Sequence, residues 1–330
     1  MPTPVTKEQY EKSLQPLHWP GALVTWISHR PWALSFMHRL SIFAIKGSKL
    51  DGFFNDEIFI PSTTTANHTI RARIYKPDDV TDEPLPVMIF MHGGGYQIGL
   101  PEQDHAFFKN ILQRRNICIV APDYRCTIVH NSPYPHGLND CFDTVQYVKD
   151  HANELGVRSN NFVFAGHSAG GGMTLALTLK AVDTEVVDLA FIMPMYPMID
   201  CRMNTRSAEM VGTWVWDCVS NKGAWGRYLA NIPPGQDVPD YASPALREDV
   251  SNLPPTITFV GTLEPFLDEV KIFMNKLQAA NIPTKFKVYE GGFHGFEVLG
   301  PTTDLGIEAN NFQINSFAEF YDEFVAQGGK

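Results

Sequence analysis

Residues 163–172 read VFAGHSAGGG. The apolar run FVFAG (162–166) leads in, and the helix-forming stretch MTLALTLKA (173–181) leads out. Between them, Gly166-His167-Ser168-Ala169-Gly170 has the spacing G-x-S-x-G. A chain that passes from strand to helix in so short a span has little room for Cβ atoms beside the serine, hence the glycines. Such an elbow holds the Ser168 hydroxyl up at the carboxyl edge of a sheet. The helix N-terminus beneath it favours developing negative charge. The bare pattern also arises in chance Gly/Ser turns; the strand before it and the helix after it set this one apart. A serine so placed needs a sheet, a base, an acid and an oxyanion site from the rest of the chain.

The sheet is legible. FFNDEIFI (53–60) and TIRARIY (69–75) are short β-type runs, the second clearly alternating. After them, apolar runs alternate with helical stretches. LPVMIFM (85–91) precedes a helix near 103–114, and ICIVAP (117–122) precedes LNDCFDTVQYVKDHANEL (138–155). FVFAG leads into a helix from Ala169, and VDLAFIMPM (187–195) follows it. TITFV (256–260) precedes a helix near 267–280, and TKFKVYE (284–290) precedes the last helix, near 308–326. This order predicts an α/β fold with a mostly parallel central sheet flanked by helices. Between Met195 and Pro254 no strand run appears; residues 203–231 read instead as helical and rich in aromatics. The predicted organisation is a catalytic unit of residues 51–200 and 246–330. Over one end of its sheet lies a helical cap made of residues 1–50 and the insertion 201–245.

Two further segments carry chemistry. In MIFMHGGGYQIG (88–99), His92-Gly93-Gly94-Gly95 directly follows a buried strand. Three glycines leave backbone N–H groups free to face an oxyanion. No phosphate-binding G-x-x-x-x-G-K-[ST] or G-x-G-x-x-G pattern is present there. His92 lies on the wrong side of the glycines and reads as structural. In YEGGFHGF (289–296), His294 is the only histidine after Ser168. It is therefore the one base candidate for the chain order Ser, acid, His. GTLEPFLDE (261–269) offers three carboxylates, Glu264, Asp268 and Glu269. Local pattern leaves the choice among them open.

Composition narrows the partners. The 330-residue chain has a formal net charge of −10 with 26 Lys plus Arg, and no basic block, so neither nucleic acid nor an anionic membrane surface is an expected partner. The five cysteines are scattered, without C-x-x-C spacing, so neither a disulfide framework nor a zinc site is expected, and a reducing cytoplasmic setting fits. No H-E-x-x-H or clustered Cys/His occurs, so neither a metal nor another cofactor is expected. The most apolar stretch, residues 21–45, is broken by His29, Arg30, Pro31, His38 and Arg39. It is too interrupted to span a bilayer and reads as two amphipathic helices around Pro31; they could touch lipid, but packing on the protein's own body is the expected use, without stable membrane insertion.

Together, His92–Gly95, Ser168 in its elbow, APDYR (121–125) and YPHGLNDC (134–141) resemble landmarks of the α/β-hydrolase fold. More narrowly, the chain from about residue 54 to 326 resembles the bacterial esterases of the hormone-sensitive lipase family. In that family the acid opens an Asp-Pro-Leu-x-Asp-Glu pattern. The matching stretch here is Glu264-Pro265-Phe266-Leu267-Asp268-Glu269, with Glu in place of the usual Asp. The resemblance thus implies Ser168 as nucleophile, His294 as base, Glu264 as acid, and an oxyanion hole of Gly94, Gly95 and Ala169. It leaves Asp268 and Glu269 to begin the next helix. A second departure is His167, where the family usually has an acidic or small residue before the serine. Tyr96, His167, Trp214 and Trp216 are expected to line the substrate pocket.

The resemblance implies a serine carboxylesterase acting on short- to medium-chain esters, without a cofactor. The implied partner is a small-molecule ester, and a homodimer is one assembly open to the chain. The same parts would serve an amidase or formamidase. Some relatives that bind hormones without turnover have lost a catalytic histidine; here all three positions are filled.

Overall fold

A computed structural model of the chain describes residues 5–78 and 83–326. Residues 1–4 of the expected cap, and 79–82 and 327–330 of the expected catalytic unit, lie outside the described residues. All eight strand runs of the sequence form strands: β1 (Phe54–Pro61), β2 (Thr69–Lys76), β3 (Val87–Met91), β4 (Cys118–Pro122), β5 (Phe162–His167), β6 (Leu189–Met195), β7 (Thr256–Leu263) and β8 (Thr284–Phe293). They make one sheet in the order β1-β2-β4-β3-β5-β6-β7-β8. β2 runs antiparallel to both β1 and β4; every other pair is parallel. All residues of β3, β4 and β5 are buried. Helices cover both faces there, which is why these strands read as unbroken apolar runs. Edge strand β1 alternates more and is half exposed.

The helices are α1 (His18–Ser28), α2 (Pro31–Ile45), α3 (His105–Leu112), α4 (His136–Asp150), α5 (Ala152–Leu155), α6 (Ala169–Thr184), α7 (Cys218–Tyr228), α8 (Leu267–Ala279), α9 (Phe296–Leu299) and α10 (Asp304–Phe320). α3 packs with α10, α4 packs with α6, and α8 lies against β7 and β8. Each phenylalanine fully buried in these layers, such as Phe90, Phe164 or Phe259, contributes roughly 1.5–3 kcal/mol of apolar burial.

Pro31 opens α2, where a missing N–H costs nothing, so α1 and α2 form a helical pair joined at His29–Arg30. Five hydrogen bonds tie this pair and the chain before it to the inserted segment. Thr25 Oγ1 donates to Thr213 O (3.1 Å), and Ser28 Oγ meets Ser220 Oγ (2.6 Å). His29 Nε2 meets Asp217 Oδ1 (2.8 Å), Val215 N donates to Gly21 O (3.2 Å), and Trp214 N donates to Tyr10 OH (3.1 Å).

The helical reading of residues 203–231 needs correction. Only α7 and the single 3-10 turn Ser207–Glu209 are helical. Residues 211–217 are not helical, with Gly212 and Val215 at positive φ. Asp217 begins α7 instead, its side chain accepting from Val219 N and Ser220 N, both at 3.1 Å.

Candidate active site

The carboxyl ends of β3, β5, β7 and β8 converge. Each is followed at once by a segment singled out above: His92–Gly95 after Met91, Ser168 after His167, Glu264 after Leu263, and His294 after Phe293. In open α/β sheets this edge is where side chains from several strands can meet around a ligand.

Ser168 joins β5 to α6 with φ 59° and ψ −120°, a strained conformation for a non-glycine residue. The surroundings impose it. A Cβ at Gly170 would lie 2.1 Å from Met91 O, so only glycine lets α6 start this close to β3. Ser168 N donates to Met195 O at 3.0 Å, tying the elbow to the end of β6.

A hydrogen-bonded row starts at this serine. Ser168 Oγ lies 2.7 Å from His294 Nε2, and His294 Nδ1 lies 2.6 Å from Glu264 Oε2. Glu264 is 1% exposed, and its other oxygen accepts from Gly261 N at 2.8 Å. Both carboxylate oxygens are therefore held, and the ring has one orientation. Tyr196 and Phe266 pack edge-on against that ring, with centroids at 5.1 and 5.0 Å.

The other two carboxylates of GTLEPFLDE do different work. Asp268 and Glu269 do lie in the first turn of α8. Neither supplies the N-cap, which is Phe266, without a side-chain bond. Asp268 Oδ2 accepts from Ser207 N (2.8 Å), and Ser207 Oγ accepts from Asp268 N (2.9 Å), a reciprocal tie to the inserted segment. Glu269 is buried and accepts from Ile199 N (2.8 Å) and Asp200 N (3.3 Å); burial pushes its carboxyl pKa well up.

The glycine loop after β3 doubles back on itself. Gly94 O accepts from Gln97 N (3.0 Å) and Ile98 N (3.2 Å). Gly93, Gly94 and Gly95 all line the cleft that holds Ser168. Ala169 is the first residue of α6, and the N–H groups of a first helical turn have no partner within their own helix. His92 is fully buried, with Nδ1 2.9 Å from Gly93 O and its ring stacked on Tyr124 at 4.2 Å. It holds the loop and does not enter the cleft.

Replacing Gly94 by valine is expected to lower turnover about 10²- to 10³-fold, the usual cost of one oxyanion donor. Gly94 has φ +130°, and a Cβ there would sit 1.9 Å from Ile98 O, so the loop must shift. The same strain lowers the melting temperature, so rates are to be compared well below it. Wild-type turnover would remove this loop from the site.

The cleft has a volume of about 350 Å³. Its apolar wall comes from Val24, Ile27, Leu34 and Met37 of the N-terminal helices, together with Val215, Trp216, Val298 and Leu299. His167 and Trp216 line it as expected from sequence, but Tyr96 and Trp214 do not. Tyr96 is turned away: its hydroxyl donates to Met198 O at 2.9 Å and its ring stacks on Tyr228 at 4.1 Å. Trp214 stacks on Tyr10 at 3.6 Å, nearly parallel, and packs on Phe293. Val215 sits at φ 72°, with Trp216 N donating to Trp214 O at 2.9 Å, and this tight turn sends one tryptophan into the body and the other into the cleft.

Sequence reasoning missed the partner of His167. His167 Nδ1 lies 2.8 Å from Asp104 Oδ1, both buried. Burial disfavours the charged ring, yet the hydrogen bond and charge of Asp104 outweigh it and hold the His167 pKa above its ordinary value. The two residues are 63 positions apart, and nothing in the local sequence links them.

Fold and site together define a hydrolase built on a serine elbow. The chain belongs to the alpha/beta hydrolase fold family, whose model matches residues 88–298. Carboxylesterase NlhH of Mycobacterium tuberculosis is 30% identical over 237 residues, 69% of this chain and 71% of that protein. An arylesterase of Saccharolobus solfataricus is 26% identical over 242 residues, 70% of this chain and 74% of its own. Among solved structures, a bacterial heroin esterase superposes with a TM-score of 0.87 at 26% identity, covering 96% of this chain and 99% of that one. The hormone-sensitive-lipase-like character inferred from the motifs agrees with these relatives.

Proposed function

We propose that this chain is a serine carboxylesterase that works through an acyl-enzyme on Ser168. The observation that carries this is the row Ser168–His294–Glu264, with links of 2.7 and 2.6 Å at the base of an apolar cleft. Ser168 Oγ attacks the ester carbonyl while His294 Nε2 takes the hydroxyl proton. Glu264 accepts the Nδ1–H, fixes the tautomer and stabilises the imidazolium. Backbone N–H groups of Gly94, Gly95 and Ala169 receive the oxyanion. The tetrahedral intermediate collapses, and His294 returns the proton to the departing alcohol. Water, deprotonated by His294, then attacks the acyl-enzyme and regenerates Ser168. Every atom that moves belongs to the chain, the ester or water, so added chelator is expected to leave the rate unchanged.

Residues 1–50 and 201–245 act as a cap in this reading, supported by the wall residues that α1, α2 and the 211–217 segment bring to the cleft. A cleft of about 350 Å³ has limited depth. That limit gives only the direction, short chains over long; the resemblance to esterases of the hormone-sensitive lipase family gives the range, so p-nitrophenyl esters with acyl chains of about two to eight carbons are expected to be the best substrates. A chain-length series on purified protein checks this; highest activity on long-chain emulsified lipid would refute it. Matched esters and amides of one acyl group, compared by kcat/KM, separate an esterase from an amidase on the same three residues. A cytoplasmic setting is supported by five cysteines that are all free, Cys118, Cys126 and Cys141 among them buried. Among the described residues, no helix is long and apolar enough to cross a membrane.

A further inference from the structure

The two N-terminal helices each have two faces. Inward, Val24 and Ile27 of α1 and Leu34 and Met37 of α2 line the cleft. Outward, α1 carries Trp19, Leu23 and Trp26, spaced by four and three residues, which puts them on one stripe. α2 does the same with Trp32, Phe36, Leu40 and Phe43. Most of these side chains stand well out: Trp19 is 79% exposed, Trp32 65%, Phe36 59% and Phe43 92%, while Leu23, Trp26 and Leu40 are about half exposed. The two stripes join where Trp26 meets Trp32 edge-on, ring centroids 5.9 Å apart. Aromatic side chains present roughly 150–250 Å² each. The combined patch therefore exceeds the roughly 300–600 Å² that is the largest on a typical monomer.

Charge separates the candidate occupants. The net charge of −10 argues against an anionic membrane for the chain as a whole, yet the N-terminal helices depart from that average: no Asp or Glu occurs between Glu11 and Asp51. The same interval holds Lys12, Arg30, Arg39, Lys46 and Lys49. Lys46 pairs with Asp123 at 3.2 Å, while Arg30, Arg39 and Lys49 have no ion-pair partner among the described residues. Arg30 lies over the Trp26 ring at 4.1 Å, so a cation sits within the aromatic stripe itself. A second copy related by a two-fold axis would bring this basic, acid-free surface against itself and leave its charge unmatched. An anionic lipid surface is complementary on both counts, taking aromatic rings at the headgroup level and cations at the phosphates. α2 has 15 residues, which suits a helix lying on a bilayer rather than crossing one.

We propose that the outer faces of α1 and α2 dock reversibly on an anionic lipid bilayer. The helices whose inner faces line the cleft then stand at the lipid surface, and esters dissolved in the lipid are delivered to it. The delivery step rests on the esterase reading above; the docking itself does not.

Co-sedimentation with vesicles of phosphatidylglycerol and phosphatidylcholine in equal amounts, against pure phosphatidylcholine, tests the docking. Wild type and Ser168→Ala are both expected to pellet with the anionic vesicles, less so at high salt, and to stay in solution with the neutral ones. Equal binding by the serine variant separates failure of docking from failure of the hydrolase reading. Trp32→Ser/Phe36→Ser/Phe43→Ser should lower the partition coefficient at least about tenfold, since all three changes remove apolar surface from the docking face. Its kcat/KM on dissolved nitrophenyl acetate should stay at the wild-type value. If the triple variant misfolds, Phe43→Ser alone, at the most exposed position, and Arg39→Glu should each still weaken binding to the anionic vesicles several-fold. Wild type remaining in solution with anionic vesicles would overturn the proposal. So would a dimer, seen by sedimentation velocity, that the triple substitution dissociates.

Discussion

Ser168→Ala is expected to lower kcat by about 10⁶-fold, the loss seen when the nucleophile of a comparable constellation is removed. The fold should survive it. Ala can occupy the φ 59°, ψ −120° position at a strain like that of serine, and the backbone bond from residue 168 to Met195 O is untouched. The substitution removes one side-chain hydrogen bond, the 2.7 Å link to His294 Nε2. An unchanged melting temperature with abolished turnover is the expected pair of results. The companion measurement is covalent. An organophosphonate should stop wild-type turnover, and mass spectrometry should find a single adduct on the peptide containing Ser168. A variant that retains more than about a thousandth of wild-type kcat would show that another group attacks the ester; the residual 10³–10⁴ over water in a disabled site comes from binding and the oxyanion hole alone.

Glu264→Gln is expected to lower kcat about 10⁴-fold with little change in KM, by analogy with loss of the acid's charge in another Ser-His-acid site. The geometry explains why size alone does not suffice. Glu264 accepts twice, from Gly261 N at 2.8 Å and from His294 Nδ1 at 2.6 Å. In glutamine one end is an NH₂ group. If the amide oxygen keeps Gly261 N, the NH₂ faces Nδ1 and favours the tautomer with the proton on Nε2, where it blocks proton uptake from Ser168. Glu264→Asp keeps the charge but falls one methylene short, so partial activity is expected. Asp268→Asn is the control. Its carbonyl can still accept from Ser207 N, and Asp268 makes no bond to His294. Near-wild-type kcat is expected for it. A dead Asp268→Asn beside an active Glu264→Gln, both at wild-type stability, would move the acid to Asp268.

The strand runs, the serine elbow and the glycine loop could be read from the chain itself because their causes are local. β3 and β4 are apolar throughout, and β5 is apolar up to His167, since neighbouring layers bury both faces. The elbow advertises itself because a turn this tight excludes side chains. Pro31 marked the break between α1 and α2 for an equally local reason. His294 was legible by elimination, and Glu264 only through resemblance to a family pattern. What the local pattern could not express was how each carboxylate of GTLEPFLDE is used. One oxygen set faces His294, another holds Ser207, and the third meets the backbone at Ile199 and Asp200. Those partners lie 30 to 70 positions away, and three acids in nine residues look alike until the sheet edge brings the partners in. The same holds for Trp214 and Trp216, which differ only in the side of one non-helical segment from which they project, and for Asp104, whose pairing with His167 depends on where α3 starts relative to β5. Residue type and short-range periodicity determined which elements form and which groups are chemically able; long-range packing alone decided which of those groups touch.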